Sequence, residues 1–455
     1  SGERLQGHQD MAELVRIELT DVSSASAVAA RCAAASAKAA MPAHARAKIL
    51  LKAAEALDAQ SEDFARLICA EVGKPLKEAR REVLRGAFTL RWAGEEARRI
   101  TGEVLPLDLD ANTEGRYAMV KRVPRGPALF ITPFNFPLNL VAHKVAPAVA
   151  VGLPFVLKPD PRCPKTAEKL LGLLVDAGWP AEAAIVVGGP LPAAEALVGD
   201  ERFRIFSFTG STAVGWKLKT LAVKAHSCLE LGGNAAVFVA RDADLPWAAA
   251  RCAWGAFYYS GQTCISVQRI YVEQEVHAEF RRLLVENIKA LVVGDPSDEN
   301  TDVGPLIDEK SAIRVEEWLK EAVGKGAKLW TGGPRKGLVI PPSLLEGAPA
   351  DCRVSCEEVF GPVATLDAVT SREDALERMS NSRYGLQAGI FTNDLAFIHK
   401  AFDRLDVGGL IVNDIPSFRS DAMPYGGMKD SGVGREGVKY AMEDFTEPKT
   451  LVMKS

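Results

Sequence analysis

The sequence predicts an α/β protein made of two doubly wound α/β domains and one small β element. Its 455 residues exceed what a single hydrophobic core usually holds, so more than one domain is expected. Short apolar runs also alternate with helical segments in two separate stretches of the chain. That alternation is the pattern of parallel sheets covered by helices.

The first domain is predicted to begin with helices and to continue with alternating strands and helices. Residues 26–99 are rich in Ala, Leu, Glu, Lys and Arg at helical spacing, with breaks near 41–42 and 72–73. The alternation after them predicts helices at 165–177 and 191–197, and strands at 128–132, 155–158, 184–187 and 205–209.

A second alternation and an isolated hairpin complete the predicted architecture. Residues 103–123 contain short alternating stretches, as at 117–121, that predict a hairpin standing apart from the helices. Later apolar runs predict the strands of the second domain at 236–239, 268–272, 389–392 and 410–413.

The composition argues against nucleic acid, membrane and metal partners. A formal net charge of −4, with both signs spread along the chain, provides no basic patch. The apolar stretch 145–157 is too short to cross a bilayer, and the polar residues 1–10 resemble a tag remnant or a loose leader. The eight cysteines have no disulfide spacing, and Cys352 and Cys356 lack the partners of a zinc site, so we expect a cytoplasmic setting.

Residues 208–215 have the pattern of a strand, a glycine turn and the start of a helix. Gly210 would let the backbone approach a phosphate at the free N–H groups of the helix N-terminus. Trp216 and Lys217 stand where a P-loop needs Lys and then Ser or Thr, and the glycine spacing differs from the usual dinucleotide motif. By itself the turn is equally compatible with an ordinary helix cap.

Three further residues are candidates for chemistry. Glu230 stands just before two glycines and could act as a base, and Cys264 follows the small, flexible segment 260–263, which suits a reactive thiol. Asn135, between aromatic and proline neighbours, could aim its amide at a developing oxyanion. Taken singly, each has an ordinary explanation: an exposed glutamate, a packing cysteine and a helix cap.

The sequence thus contains four motifs: the turn at 208–215 and the segments that contain Glu230, Cys264 and Asn135. Their order along the chain, and the 34 positions (264 − 230) between Glu230 and Cys264, closely resemble the aldehyde dehydrogenase superfamily. The resemblance covers nearly the whole chain from about residue 26 and includes 73–75, 158–159, 357–362, 424–429 and 431–432.

The resemblance also implies how the chain is divided into domains. The resemblance implies a Rossmann-like cofactor-binding domain at 11–103 and 124–231 and a catalytic domain at 232–432. It also implies an oligomerisation element at 104–123 and 433–455, with a C-terminal strand at 450–454. Edge strands would then pair between subunits of a homodimer or homotetramer.

The resemblance also assigns catalytic roles. Cys264 would be the nucleophile that attacks the aldehyde, and Asn135 would bind the oxyanion together with the backbone N–H of Cys264. Glu230 would activate the water that hydrolyses the resulting thioester. Relatives that pass the acyl group to coenzyme A generally lack this glutamate, so a free acid is favoured over a coenzyme A-acylating semialdehyde dehydrogenase. A non-catalytic binding protein that keeps the fold is the third interpretation, and the intact set of three residues argues against it.

The implied cofactor is NAD or NADP. Many NAD-preferring members carry a glutamate three positions after the lysine at 158, whereas this chain has Pro161 followed by Arg162. NADP should therefore be tolerated, although Asp160 argues the other way. The resemblance places the following residues at the cofactor: Thr132, Pro133, Lys158, Gly210, Ser211, Gly215, Leu231, Glu358 and Phe360.

The expected substrate is a small polar or anionic aldehyde. Asn139 and His143 follow Asn135 by four and eight positions, on the helix face that lines the aldehyde tunnel in the family. Arg419 lies in the loop 413–423, which should close the tunnel mouth, and it could bind an anionic group. The alternatives are that His143 only packs within its helix and that Arg419 is a solvated loop charge. The pattern looks like the branch that handles lactaldehyde, glyceraldehyde, its 3-phosphate or phosphonoacetaldehyde.

Overall fold

A computed structural model describes residues 13–454 of the protein. Within that range the chain forms two α/β units, each built on a seven-stranded sheet, and a separate three-stranded antiparallel sheet. The predicted fold class is therefore confirmed. The interpretation of residues 1–10 as a tag remnant or leader lies outside the described residues.

The first sheet is parallel except at one edge, where the short strand Gly432–Val433 pairs antiparallel with His226–Glu230. The chain order reverses between two neighbouring parallel strands, Ala128–Ile131 and Ile205–Thr209, and a crevice forms at such a switch point. Across the sheet the strands are Val15–Glu18, Ala184–Gly188, Phe155–Lys158, Ala128–Ile131, Ile205–Thr209, His226–Glu230 and Gly432–Val433.

Helices cover both faces of this sheet. The helical region divides where expected, because Pro42 precedes one helix and Gly73, with φ +64°, ends another in the left-handed conformation. The helices before the hairpin are Val22–Ala34, Ser36–Ala39, Ala43–Ala59, Ser61–Val72 and Leu76–Glu96. Those after it are Asn139–Val151, Pro164–Asp176, Leu191–Val198 and Thr212–Leu221, with a short 3₁₀ turn at Ala181–Ala183.

The second unit repeats the architecture around another mostly parallel sheet. Its strands, across the sheet, are Lys328–Thr331, Ser343–Glu346, Val363–Val369, Val267–Glu273, Ala235–Val239, Gln387–Phe391 and Gly409–Val412, and only the first runs antiparallel. Its helices are Leu245–Phe257, Gln274–Lys289, Glu309–Gly324, Arg353–Cys356, Arg372–Ser380 and Leu395–Arg404. A two-residue bridge joins Tyr384–Gly385 to Met428–Lys429.

The third sheet consists of Glu103–Pro106, Arg116–Pro124 and Thr446–Lys454, with a 3₁₀ turn at Ala111–Thr113 in its loop. The C-terminal strand therefore begins earlier than the predicted 450. The helix Val438–Asp444, which the resemblance assigns to the oligomerisation element, packs into the core of the first unit through Val438 and Met442.

Within residues 13–454, none of the helices is long and apolar enough to cross a membrane.

Candidate active site

A cavity of about 510 Å³ opens at the carboxyl ends of the first sheet, at its switch point, and is lined by residues of both α/β units. Strand ends and the loops after them supply one side, and loops of the second unit supply the other. One end of the cavity lies around Lys158 and Ser211, where the resemblance places the cofactor, and is called the cofactor end. The other lies around Cys264 and Arg419, where the resemblance places the aldehyde, and is called the aldehyde end.

Cys264 lies in a loop whose backbone conformation is uncommon. Tyr259 and Ser260 have φ of +47° and +57°, a left-handed region that side chains other than glycine rarely adopt. The loop is tied down by the Ser260 hydroxyl, which donates to the Gly304 carbonyl at 2.7 Å, and by Gln262, whose side chain accepts the Ile307 N–H at 2.9 Å. Cys264 is thus held in the cavity wall, half-buried.

Asn135 joins this loop to the first unit. Its Nδ2 donates to the Gln262 carbonyl at 3.1 Å, which leaves one amide hydrogen for another acceptor. The helix Asn139–Val151 follows Asn135 in the chain. At its start, the buried Glu82 carboxylate accepts hydrogen bonds from the N–H groups of Leu138 and Asn139, at 2.9 and 3.1 Å. That cap fixes the start of the helix.

Glu230 is the last residue of its strand and points into the same cavity. It is 3% exposed, and neither carboxylate oxygen has a hydrogen-bond partner among residues 13–454. Burial raises the pKa of Glu230 well above its usual value, and the nearby charge of Glu436 adds to the rise. In its ionised form, a carboxyl with a raised pKa is a stronger base than an exposed one.

Arg419 belongs to a buried ion network behind the aldehyde end. Its guanidinium donates to Glu436 at 3.0 Å, and Lys144 donates to the other oxygen of Glu436 at 3.1 Å and to the Ser207 hydroxyl at 2.7 Å. Burial alone would raise the pKa of Glu436, but Lys144 and Arg419 hold it down to about 2. Arg419 is only 6% exposed, so the alternative of a solvated loop charge is wrong.

A second buried cluster is centred on Asp421. This carboxylate accepts two hydrogen bonds from Arg85, at 2.7 and 3.1 Å, and lies 2.8 Å from His143 Nε2. Asn139 also donates to it, at 3.2 Å. Arg85 and Asn139 line the cavity, whereas His143 lies behind its wall with 1% exposure. The expected contact between His143 and the aldehyde is therefore corrected, because His143 pairs with Asp421 behind the residues that line the cavity.

At the cofactor end the structure brings together eight of the nine expected residues. Gly215 is the exception: a Cβ there would overlap the Leu231 side chain, so this glycine permits the helix to pack closely on its neighbour. The Glu358 carboxylate accepts the Gly233 N–H at 3.0 Å, and burial raises its pKa to about 7. Thr132, Pro133, Lys158, Gly210, Ser211, Leu231, Glu358 and Phe360 all line the cavity.

The positive charge of Arg162 is already engaged. Its guanidinium donates to both oxygens of Asp160, at 2.8 and 2.7 Å, and to Asp308 at 3.0 Å, and it stacks on the Phe134 ring. Lys158 also lines this end of the cavity, and burial lowers its pKa.

The sequence profile of the "Aldehyde dehydrogenase family" matches residues 6–451. The chain belongs to the aldehyde dehydrogenase family. The predicted family and enzyme class are therefore confirmed.

Several aldehyde dehydrogenases resemble the chain over most of its length. A 3-sulfolactaldehyde dehydrogenase from Priestia aryabhattai is 45% identical over 409 residues, which cover 90% of this chain and 86% of that protein. A lactaldehyde dehydrogenase from Methanococcus vannielii is 40% identical over 416 residues, covering 90% and 87%. Aldehyde dehydrogenase 21 from Physcomitrella patens, solved with the reaction product succinate, superposes with a TM-score of 0.93 at 44% identity, covering 95% and 91%.

A glyceraldehyde-3-phosphate dehydrogenase from Methanocaldococcus jannaschii, solved with NADP, has a TM-score of 0.91 at 35% identity and covers 96% of this chain and 95% of that one. These relatives are consistent with the branch of small polar aldehydes that the sequence resembles.

Several residues of this aldehyde dehydrogenase site had no signal in the sequence. Four of them, each placed by the fold beside an opposite charge, are ordinary charged residues in the sequence: Lys144, Glu436, Asp421 and Arg85. Tyr425 is different, since it lies within the motif 424–429. Its hydroxyl is 3.0 Å from Cys264 Sγ.

Proposed function

We propose that this aldehyde dehydrogenase oxidises a small polar or anionic aldehyde to its carboxylic acid, through a covalent bond between the substrate and Cys264. The observation that carries the proposal is the convergence of a thiol, an amide and a buried carboxyl on one cavity, from Cys264, Asn135 and Glu230. A nucleophile, an oxyanion donor and a base are what acyl transfer to water requires.

The cofactor is NAD or NADP, and the cofactor end fits such a group. The turn at Gly210 and Ser211 opens a helix of ten residues, whose N-terminus attracts phosphate. Lys158 and Glu358 are suited to hold ribose hydroxyls. The Glu358 carboxylate is positioned by the hydrogen bond that it accepts from the Gly233 N–H. When bound, the nicotinamide accepts a hydride from the substrate carbon.

The chain's own residues would then act in order. The thiolate of Cys264 adds to the carbonyl carbon, and the carbonyl electron pair moves to an oxygen that the Asn135 amide stabilises. After hydride loss leaves a thioester, Glu230 takes a proton from water, the water oxygen bonds to the carbonyl carbon, and the carbon–sulfur bond breaks. The acid leaves, and the sulfur departs as a thiolate.

The charges at the aldehyde end favour an anionic substrate. The two guanidiniums of Arg85 and Arg419 line the cavity, whereas their partners Asp421 and Glu436 do not. A sulfonate, carboxylate or phosphate on the aldehyde could accept hydrogen bonds from these guanidiniums. The named substrates and products of the relatives are likewise small and polar.

A panel of aldehydes against NAD and NADP tests this function. The panel contains 3-sulfolactaldehyde, lactaldehyde, succinic semialdehyde, glyceraldehyde 3-phosphate and propanal, with kcat/KM as the readout and the product identified by mass spectrometry. We expect an anionic member to exceed propanal and a free acid to form with or without coenzyme A. Dependence of turnover on coenzyme A, or a preference for propanal, would refute the proposal.

We also propose that the protein forms a homodimer or homotetramer in the cytoplasm. The three-stranded sheet exposes Val104, Tyr117, Met119 and Leu451, an apolar edge and face that a second subunit would cover. The eight cysteines are all free thiols, which supports a reducing setting. Light scattering should give a mass of two or four chains, and a monomer at micromolar concentration would refute the assembly.

A further inference from the structure

The Tyr425 hydroxyl has no role in the steps above, although it is a close polar neighbour of the nucleophile. Its oxygen lies 3.0 Å from Cys264 Sγ, within hydrogen-bonding distance. The tyrosine is 2% exposed and lines the aldehyde end of the cavity. A hydroxyl at that distance changes the chemistry of the sulfur, whichever atom donates.

The surroundings hold this tyrosine firmly in place. Its backbone N–H donates to the Glu436 carbonyl at 3.0 Å, and the Glu436 N–H donates back to the Tyr425 carbonyl at 2.7 Å. The Arg419 guanidinium stacks on the ring, 3.7 Å from its centroid, and is itself anchored by the Glu436 carboxylate. The ion network behind the site therefore fixes the position of the hydroxyl relative to the sulfur.

The direction of the hydrogen bond follows from the reactive form of the sulfur. A thiolate has no proton and can only accept, so the phenol must donate to it. The stacked Arg419 cation withdraws electron density from the ring and thereby makes the O–H a stronger donor. When the sulfur bonds to carbon it loses its charge and the hydrogen bond weakens, and when the thioester is cleaved the same donor stabilises the departing thiolate.

The other charged groups that face Cys264 oppose one another. Burial raises the pKa of Cys264 to about 12. The hydrogen bond of Tyr425 and the charge of Arg419 act against that rise, whereas the Glu358 and Glu230 carboxylates reinforce it. The phenol of Tyr258 also faces the sulfur. Within residues 13–454, Tyr425 is the group that combines direct contact with an effect favouring the thiolate.

We propose that Tyr425 is a catalytic residue that donates a hydrogen bond to the Cys264 thiolate, keeps its own proton throughout, and thereby increases the reactive fraction of the nucleophile. The proposal rests on the proposed function in one respect, namely that Cys264 is the nucleophile. Tyr425 would donate its hydrogen bond to the sulfur, whereas Asn135 would donate to the substrate oxygen.

The test is the pH dependence of Cys264 alkylation by iodoacetamide, followed by mass spectrometry of the peptide that contains it. The rate should rise with the thiolate fraction, so the profile reports the apparent pKa of the sulfur. Tyr425→Phe should shift the profile upward by about one pH unit and slow labelling at neutral pH about tenfold. Tyr258→Phe, which removes a phenol from the same cavity, should leave the profile as in the wild type.

A second substitution makes the test independent of any change in packing. Incorporation of 3,5-difluorotyrosine at position 425 strengthens the donor and should shift the profile downward. A Tyr425→Phe profile that coincides with the wild type, or an equal shift in Tyr258→Phe, would overturn the proposal. Labelling needs no aldehyde, so failure of the aldehyde panel with a Tyr425-dependent profile would refute the proposed function and leave the hydrogen bond standing.

Discussion

The two ends of the cavity are constructed differently. The cofactor end is formed by strand ends, by the turn containing Gly210 and by side chains such as Lys158 and Glu358, and its Asp160–Arg162 ion pair is partly exposed. The aldehyde end consists of side chains held by buried ion pairs, such as Lys144–Glu436. Under the proposed function, the turn and strand ends would serve a cofactor that many enzymes share, whereas the buried charges would distinguish one aldehyde from another.

The largest expected effect comes from removing the nucleophile, which should abolish activity without changing cofactor affinity. Cys264→Ala removes the nucleophile and should reduce the steady-state rate of NAD(P)H formation by a factor of about 10⁴ or more. Cofactor affinity, measured by fluorescence titration, should remain within about twofold, since the turn and Lys158 are untouched. Retained steady-state activity would refute the mechanism, and lost cofactor binding would show that the two ends are not independent.

Paired substitutions compare the stability that charges confer at each end. Glu436→Gln leaves the buried Lys144 and Arg419 without a countercharge and should lower the free energy of unfolding by about 3–5 kcal/mol. Asp160→Asn acts on a partly exposed pair and should cost less than about 1 kcal/mol. Urea unfolding followed by circular dichroism measures both, and similar losses would contradict the difference between the ends.

A third prediction concerns selectivity. Arg85→Met keeps an unbranched side chain but removes the charge from the cavity wall. The kcat/KM for an anionic aldehyde should fall about tenfold, mainly through KM, because a charge-assisted hydrogen bond is lost. Propanal serves as the uncharged control and should change by less than about twofold. An equal loss for both substrates would show that Arg85 acts through the fold and not through the anion.

The smallest expected effect is a pH dependence at the cofactor end. Burial raises the pKa of Glu358 to about 7, so lowering the pH through that value protonates the carboxylate. A protonated carboxyl accepts hydrogen bonds from hydroxyls more weakly, so the Kd for the cofactor should rise about fivefold from about pH 8 to about pH 6. In Glu358→Gln the group cannot titrate, and its Kd should vary less over that range. A parallel pH profile in the two proteins would contradict this assignment.

Most of the strands that the sequence predicted in the two large sheets are buried on both faces and therefore appear as continuous apolar runs, as in Phe155–Lys158 and Ala235–Val239. The strand Val15–Glu18 was missed because it lies at the sheet edge and alternates with polar residues. Gly432–Val433 was missed because two residues carry no periodicity, and only its pairing with His226–Glu230 makes it a strand.

The sequence by itself determined the fold class, the family and the order of Asn135, Glu230 and Cys264, because each depends on short motifs in which neighbouring residues act together. Only the tertiary structure decided the aldehyde end. Arg85 and Asp421 are separated by 336 positions, and their contact has no local signature. The same holds for His143, which helical periodicity and the family resemblance together placed at the substrate and which instead pairs with Asp421. Burial and charge pairing depend on which distant segments meet, and that information is absent from any one stretch of the chain.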